Sequence, residues 1–454
     1  MTLRDNVVDL LDISQWRLTP YQILVSGFAG LILLGALILC LPQASASGEP
    51  LGFVDALFTA TSAVCVTGLV VVDTGTRFSL FGQLVIIFLI QAGGLGFMTM
   101  ATLMAILIGK RINLRERLIM QEAMNQLSVA GVVRLTKYIV KTTLVIEFIG
   151  GTILAVRWYL DYGPKGIYYG YWHAVSSFCN AGFDLFGEYR SLTGYVDDLT
   201  VNLVISGLII LGGIGFTVMA DVWENRRFSR FSLHTRLVLA VTAFLIVFGT
   251  LVILALEWNN PKTLEPLSWH GKLLSSYFQS VTPRTAGYNT LNIGDLGNAT
   301  IFFIIILMFI GASPGSTGGG IKTTTAGVLM AAIWTMFRGR EDVEFFNRRI
   351  EKAIVYKSFV LTAVAAILVV FITMMLCVHE WDIPFLNLLF DVVSAFGTVG
   401  LTTGITPQLT VPSKLWLILT MFAGRVGPVT LALALAMRQR RAMVQYPAGK
   451  VIIG

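Results

Sequence analysis

The sequence predicts an all-α membrane protein: four span–pore-loop–span repeats, eight transmembrane helices and four pore half-helices around one pore. Composition is the first reason. Apolar residues make up 55% of the chain and charged ones 13%, with a mean hydropathy of +0.75. That is far from a water-soluble globular mix, and so many apolar runs of about twenty residues require lipid as solvent. The second reason is a short motif used four times. It reads Ser62-Ala63-Val64-Cys65-Val66-Thr67-Gly68-Leu69, and it returns around Gly182, Gly287 and Gly400. These glycines lie 114, 105 and 113 residues apart, close to a quarter of the 454-residue chain, and each has an aromatic ten residues upstream: Phe58, Trp172, Tyr277 and Phe390. One unit has been repeated. The third reason is the placement of charge between apolar segments.

Residues 1–19 carry Val7, Val8, Leu10, Leu11, Ile13 and Trp16 at a spacing that suits a short helix on the membrane surface. The apolar run 21–41 precedes Ala44-Ser45-Ala46, which resembles a signal-peptide cleavage site. The run is about twice a typical signal h-region, so it reads as a retained span. Repeats are expected at 20–118, 119–232, 233–350 and 351–438, followed by a cytoplasmic tail at 439–454. Within them, first spans fall near 21–41, 138–160, 237–257 and 356–378, and second spans near 80–109, 199–220, 299–335 and 415–437.

Lys and Arg orient the chain. Loops 110–141, 226–236 and 338–357 with both termini hold 23 of the 33, and the opposite loops hold seven. That bias places both termini and the basic loops in the cytoplasm of a multi-pass cell-membrane protein. It also accounts for the net charge of +7 without nucleic acid as a partner. Cys40, Cys65, Cys179 and Cys377 lie in or beside apolar runs with no paired spacing, so neither a disulfide framework nor a zinc site is indicated.

Segments such as 55–63 are too short to cross about 30 Å of hydrocarbon. Non-helical backbone at that depth is tolerated where it lines a wet cavity. Glycine permits positive φ, letting neighbouring carbonyls turn toward a common axis and replace the hydration shell of a cation such as K⁺. The alternative, glycines that merely let helices approach, suits a single copy better than four in register. The candidate filter is Val66, Thr67 and Gly68, Asn180, Ala181 and Gly182, Thr285, Ala286 and Gly287, and Thr398, Val399 and Gly400.

Together the motifs Thr67-Gly68-Leu69, Asn180-Ala181-Gly182-Phe183, Arg284-Thr285-Ala286-Gly287-Tyr288, Thr398-Val399-Gly400-Leu401-Thr402 and Gly424-Arg425-Val426-Gly427-Pro428 resemble the Trk/Ktr/HKT superfamily of potassium uptake proteins. The likeness covers nearly the whole chain and lies nearest the bacterial Ktr membrane-subunit type (KtrB type). It implies a gated, channel-like K⁺ uptake pore, with K⁺ as substrate rather than cofactor and Na⁺ as a candidate activator or co-ion. It further implies a homodimer held by a tail like residues 446–454, and a cytoplasmic nucleotide-binding regulatory ring (KtrA type) docked on the basic loops. Glycine at Gly68, where some plant relatives carry Ser, implies preference for K⁺. Asp391 stands where the resemblance leads one to expect Glu.

The third second-span is interrupted by Gly311, Ala312, Ser313, Pro314, Gly315, Ser316, Thr317, Gly318, Gly319, Gly320, Ile321 and Lys322. It is no phosphate loop, because Ile321 separates glycine from lysine and no strand precedes it. A serine-protease pairing of Ser313 with His379 lacks the surrounding nucleophile motif. The resemblance makes this segment a gate, together with Arg425. A mid-span cation costs roughly 2.5–3.5 kcal/mol to insert, so Arg425 faces a cavity or an ion-pair partner such as Asp221 or Glu147. Arg284 is expected to brace the filter and His173 to be a satisfied buried histidine. The Gly93–Gly96 and Gly212–Gly215 stretches mimic dinucleotide fingerprints but lie inside spans, so they read as close contacts or bends. A Na⁺-coupled alternating-access carrier is the alternative. It calls for inverted repeats with paired broken spans, whereas here the repeats run in one direction and only the third second-span is expected to break strongly. No cluster of His, Cys or carboxylates supports an enzyme.

Overall fold

A computed structural model describes residues 19–96, 99, 118, 132–340 and 342–435. The expected surface helix at 1–18, most of 97–131 and the tail from 436 onward lie outside the described residues. Four long helices, Pro20–Leu39, Val132–Tyr162, Leu233–Glu257 and Lys352–His379, are apolar and long enough to cross a membrane. They turn side chains such as Phe148, Leu251, Ile367 and Val370 outward, as a lipid solvent permits.

Each long helix is followed by a short one: Phe53–Val64, Pro164–Phe178, Trp269–Val281 and Phe385–Gly397. Their ends are dictated locally. Pro begins the second of them at its first turn, where the missing N–H costs nothing, and Ser268 caps the third by accepting from Gly271 N–H at 3.0 Å. All four stop just before the repeated glycine. A second helix then returns in each quarter: Leu80–Leu95, Leu199–Ile214, Asn298–Phe309 and Val411–Val426.

The expectation that only the third second-span breaks is corrected. Leu199–Ile214 turns by 95° into Phe216–Asn225. Val411–Val426 gives way to Pro428–Leu435, and Leu80–Leu95 ends at Gly96. The hinges are Gly96 (φ 85°), Gly215 (φ 94°) and Gly427 (φ 94°), a backbone setting that residues with a Cβ avoid. In the third quarter residues 310–322 separate Asn298–Phe309 from Thr323–Phe337. The all-helical expectation also needs amendment. Glu344–Phe345 pairs antiparallel with Arg348–Arg349 across a turn in which Phe346 and Asn347 have φ 48° and 59°, the signs a tight hairpin requires.

At the end opposite the basic loops, each long helix is tied to the start of its returning helix. Arg157 Nε donates to Asp198 Oδ2 at 2.6 Å, and Asp198 caps Leu199–Ile214. Glu257 accepts from Gly297 N–H at 2.9 Å, from Thr263 Oγ1 at 2.7 Å and from Asn260 Nδ2 at 2.6 Å, and also from Thr300. Glu380 accepts from Thr410 N–H at 2.8 Å and Oγ1 at 2.7 Å. In the first quarter Ser79 N–H donates to the Ala44 carbonyl at 2.9 Å. Glu257→Ala strands several buried donors at once, so it is expected to cost about 3 kcal/mol, read as a lowered thermal midpoint of the detergent-purified protein.

Candidate functional site

The four repeated glycines close into a ring. A Cβ built on Gly182 would stand 2.5 Å from the Ala286 carbonyl oxygen and 2.8 Å from Gly287 Cα. One on Gly287 would stand 2.6 Å from the Val399 carbonyl oxygen, and those on Gly400 and Gly68 would overlap the carbonyl oxygens of Thr67 and Ala181. The order 68, 182, 287, 400 therefore returns to its start. All four glycines hold positive φ, between 68° and 92°. Two residues before each, Val66, Asn180, Thr285 and Thr398 do so as well, with φ of 56°, 61°, 71° and 50°. The sequence reading missed this. Three of these residues are β-branched, for which left-handed backbone costs on the order of 1–3 kcal/mol each, and only their common register to the glycine marked them.

The half-helices impose that geometry. The amides of Thr67, Ala181 and Val399 donate back to the carbonyls of Ser62, Ser176 and Ser394, each at 2.8 Å, and Ala286 N–H donates to Thr282 at 3.0 Å. Gly68 and Gly400 N–H donate to Ser62 Oγ and Ser394 Oγ at 3.0 Å. With the amides so occupied, the carbonyls point elsewhere. Among the described residues, the carbonyls of the candidate-filter residues from Val66 to Gly400 accept no hydrogen bond, although those residues are buried. Buried carbonyls almost always have partners. The negative C-terminal ends of the half-helices converge on the same ring. The site thus presents partial negative charge from backbone alone, suited to a desolvated cation.

Side chains behind the ring hold it. Tyr288 OH donates to the Phe183 carbonyl at 2.7 Å, and the Asn180 amide lies 3.1 Å from Thr285 Oγ1. His173 and Asp391, each nine residues before its glycine, play parallel parts. His173 Nε2 accepts from Leu185 N–H at 3.3 Å and Nδ1 lies 2.7 Å from the Tyr169 carbonyl. Asp391 accepts from Thr402 Oγ1 at 2.9 Å and Thr406 Oγ1 at 2.6 Å. Arg284 points away from the ring, to Thr242 Oγ1 at 3.1 Å on the Leu233–Glu257 helix.

Residues 311–322 pack against one side of the ring. Gly319 N–H donates to Thr398 Oγ1 at 3.0 Å, and Thr317 Oγ1 to the Phe178 carbonyl at 3.2 Å. Ser313 N–H reaches the Gly213 carbonyl at 2.9 Å, and Lys322 Nζ folds back on the Gly318 carbonyl at 2.8 Å. Arg425 joins this loop to the first quarter, donating to the carbonyls of Thr317 and Gly93 and, at 3.2 Å, of Gly94. Neither anticipated ion pair forms: Glu147 meets Gln91 at 3.3 Å, and Asp221 meets Asn225 at 2.6 Å. Ser313 bonds Thr323 rather than His379. A cavity of about 460 Å³ beyond the loop is lined by Gly94, Gly96, Ser316, Lys322, Lys357 and Arg425 among others. The glycine pairs split their roles: Gly93 and Gly212 abut the carbonyls of Val64 and Phe178, while Gly96 and Gly215 bend the chain.

The family model for TrkH, a cation transport protein, matches residues 18–445. The Ktr system potassium uptake protein B of Bacillus subtilis (strain 168) is 46% identical over 439 residues, covering 96% of this chain and 97% of that protein. The potassium/sodium uptake protein NtpJ of Enterococcus hirae is 42% identical, with 96% and 98% covered. The crystal structure of the potassium transporter TrkH from Vibrio parahaemolyticus matches with a TM-score of 0.74 at 18% identity, over 94% of this chain and 86% of that one, a likeness of fold.

Gly212→Ala tests the packing of a returning helix on its half-helix. The added methyl would overlap the Phe178 carbonyl oxygen and stand 3.0 Å from its carbon. A loss of about 1–3 kcal/mol from overpacking is expected, seen as a lower thermal midpoint and a smaller monodisperse fraction on size exclusion.

Proposed function

The chain belongs to the TrkH family of cation transport proteins, and from that premise we propose that it takes up K⁺ across the cell membrane through a gated, channel-like pore. The single observation that carries this reading is the closed ring of buried carbonyls without hydrogen-bond partners among the described residues. A K⁺ ion there exchanges hydration oxygens for carbonyl oxygens. The likeness to potassium uptake proteins along nearly their full length supports the choice of ion. In this reading the four quarters are span–pore-loop–span units, giving eight spans and four half-helices. The basic loops face the cytoplasm, and the ring is approached from outside.

The loop 311–322 and Arg425 are the gate. They stand against the ring with a fixed positive charge, and their bonds are to carbonyls on two different quarters, so a modest separation of those quarters breaks them. A cytoplasmic nucleotide-binding ring of the KtrA type, docked on the basic loops, would supply that motion, and a homodimer is the assembly. The Na⁺-coupled carrier is less well supported. Broken returning helices no longer argue against it, since several quarters have them, but repeats in one direction around a single closed ring favour a pore.

Potassium uptake in a uptake-deficient cell, with and without a candidate regulatory subunit, tests the function directly. No K⁺ accumulation with the regulatory subunit present would overturn it. Gly68→Ser adds a side chain where the Ala181 carbonyl already stands. It is expected to admit more Na⁺ or to raise half-saturating K⁺, measured by competing Rb⁺ and Na⁺ uptake; unchanged uptake of both removes Gly68 from the filter.

Arg425→Ala, or a shortened 311–322 loop, is expected to raise basal flux on the order of tenfold by removing a charge barrier. Dependence on the regulatory subunit should fall with it. Wild-type basal flux and regulation in both variants would place the gate elsewhere.

A further inference from the structure

The cavity of about 460 Å³ beyond the gate loop gathers positive charge from three separate elements. Lys322 ends the 311–322 loop, Arg425 stands at the break in the fourth returning helix, and Lys357 comes from Lys352–His379. None of the described residues lining the cavity is acidic, and among the described residues none of these cations forms a salt bridge. Lys322 and Arg425 donate to backbone carbonyls, which occupy their hydrogens and leave their charge uncancelled. Charge gathered at membrane depth without a counter-charge is costly.

The same walls hold neutral donors with nothing to bind. Thr99 is 2% exposed and lines the cavity, yet its hydroxyl has no hydrogen-bond partner among the described residues. Thr217, Thr324 and Thr325 line it too, and their hydroxyls are equally unengaged among the described residues. Thr323–Phe337 begins here without a side-chain cap, and the amides of Thr324 and Thr325 have no acceptor among the described residues. Free amides at the start of a 15-residue helix favour an anion.

We propose that this cavity binds a phosphate group, which sits among Lys322, Lys357 and Arg425, cancels their charge and so loosens the gate. The proposal rests on the gate reading above and names a ligand for the far side of that gate. Ammonium, guanidinium, hydroxyl and amide donors converging from several directions suit an oxyanion, whose oxygens accept from several at once. An anion there competes with the Thr317 and Gly94 carbonyls for Arg425, the contacts that tie the loop to the first quarter. It also lowers the barrier that a fixed positive charge sets against K⁺. Free inorganic phosphate and a phospholipid headgroup share this chemistry, and Leu24 and Phe28 give the cavity an apolar side as well.

The test begins with radiolabelled inorganic phosphate and detergent-purified full-length protein in equilibrium dialysis at constant ionic strength. Saturable binding of about one phosphate per chain is expected. Lys357→Gln and Thr325→Val, both outside the gate, should each weaken it on the order of tenfold. In phosphatidylcholine vesicles, phosphate at the cytoplasmic face should raise basal Rb⁺ flux toward that of Arg425→Ala and should add nothing in that variant. Binding and activation by short-chain phosphatidylglycerol, with free phosphate inert, would assign the site to a headgroup and uphold it. Absence of binding by either overturns the site. So do equal competition by chloride, which marks simple screening, and wild-type affinity in both Lys357→Gln and Thr325→Val. Failure of the underlying readings is distinct: saturable binding sensitive to Lys357→Gln with Rb⁺ flux unmoved upholds the site and overturns the gate, and a wild type that takes up no Rb⁺ overturns the pore.

Discussion

The structure turns on a debt left at the centre of the protein: carbonyls in four strands, buried and, among the described residues, without hydrogen-bond partners. Each unsatisfied buried carbonyl costs on the order of 1–3 kcal/mol, and left-handed backbone at Val66, Thr285 and Thr398 adds strain. Such an arrangement persists only where its surroundings over-determine it. Here they do. Half-helix carbonyls hold the strand amides, the glycines let adjacent strands touch, and Tyr288, His173 and Asp391 brace the outer turns. A cation is the natural counterpart of that many oriented oxygens, which is why the proposed chemistry needs no reactive side chain.

The two ends of the protein are built differently. At the end away from the basic loops, the long and returning helices are joined by charged or multiply bonded contacts at Asp198, Glu257 and Glu380. At the other end the returning helices are broken, and the third quarter's loop meets its neighbours through hydrogen bonds such as Ser313 N–H to the Gly213 carbonyl and Gly319 N–H to Thr398 Oγ1, with Arg425 bridging the fourth quarter to the Thr317 and Gly94 carbonyls. Multiply bonded closure at one end and hydrogen-bonded contacts between broken helices at the other are what the proposed fixed filter and moving gate require. Bonds to carbonyls also free Arg425 from a carboxylate partner, so its charge remains felt in the cavity it borders.

The quarters share a plan without being equal. The position nine residues before the glycine is Thr59, His173, Phe278 or Asp391, and only the second and fourth reach the turn beyond the filter. Among the described residues only the third returning helix carries a long loop, and the fourth carries an arginine at its break. Four chemically identical strands would give a symmetric hole; these differences give each quarter its own surroundings behind the ring.

By itself the sequence determined the solvent, the fourfold plan and the glycines at its centre. Composition demands lipid whatever the fold, and the spacing of Gly68, Gly182, Gly287 and Gly400 is written in the chain. It also marked Arg425 and residues 311–322, because charge and clustered glycine inside apolar runs are conspicuous. Tertiary structure decided what each glycine is for. Gly212 and Gly215 look alike in sequence, yet one packs on the Phe178 carbonyl of a half-helix within a continuous helix and the other turns a helix by 95° beside the Pro314 carbonyl of the 311–322 loop. It likewise decided that Arg425 meets carbonyls rather than Glu147 or Asp221, and that the strands close in a ring. Those outcomes depend on which backbone approaches which across more than a hundred residues of chain, and a local pattern carries no record of its distant neighbour.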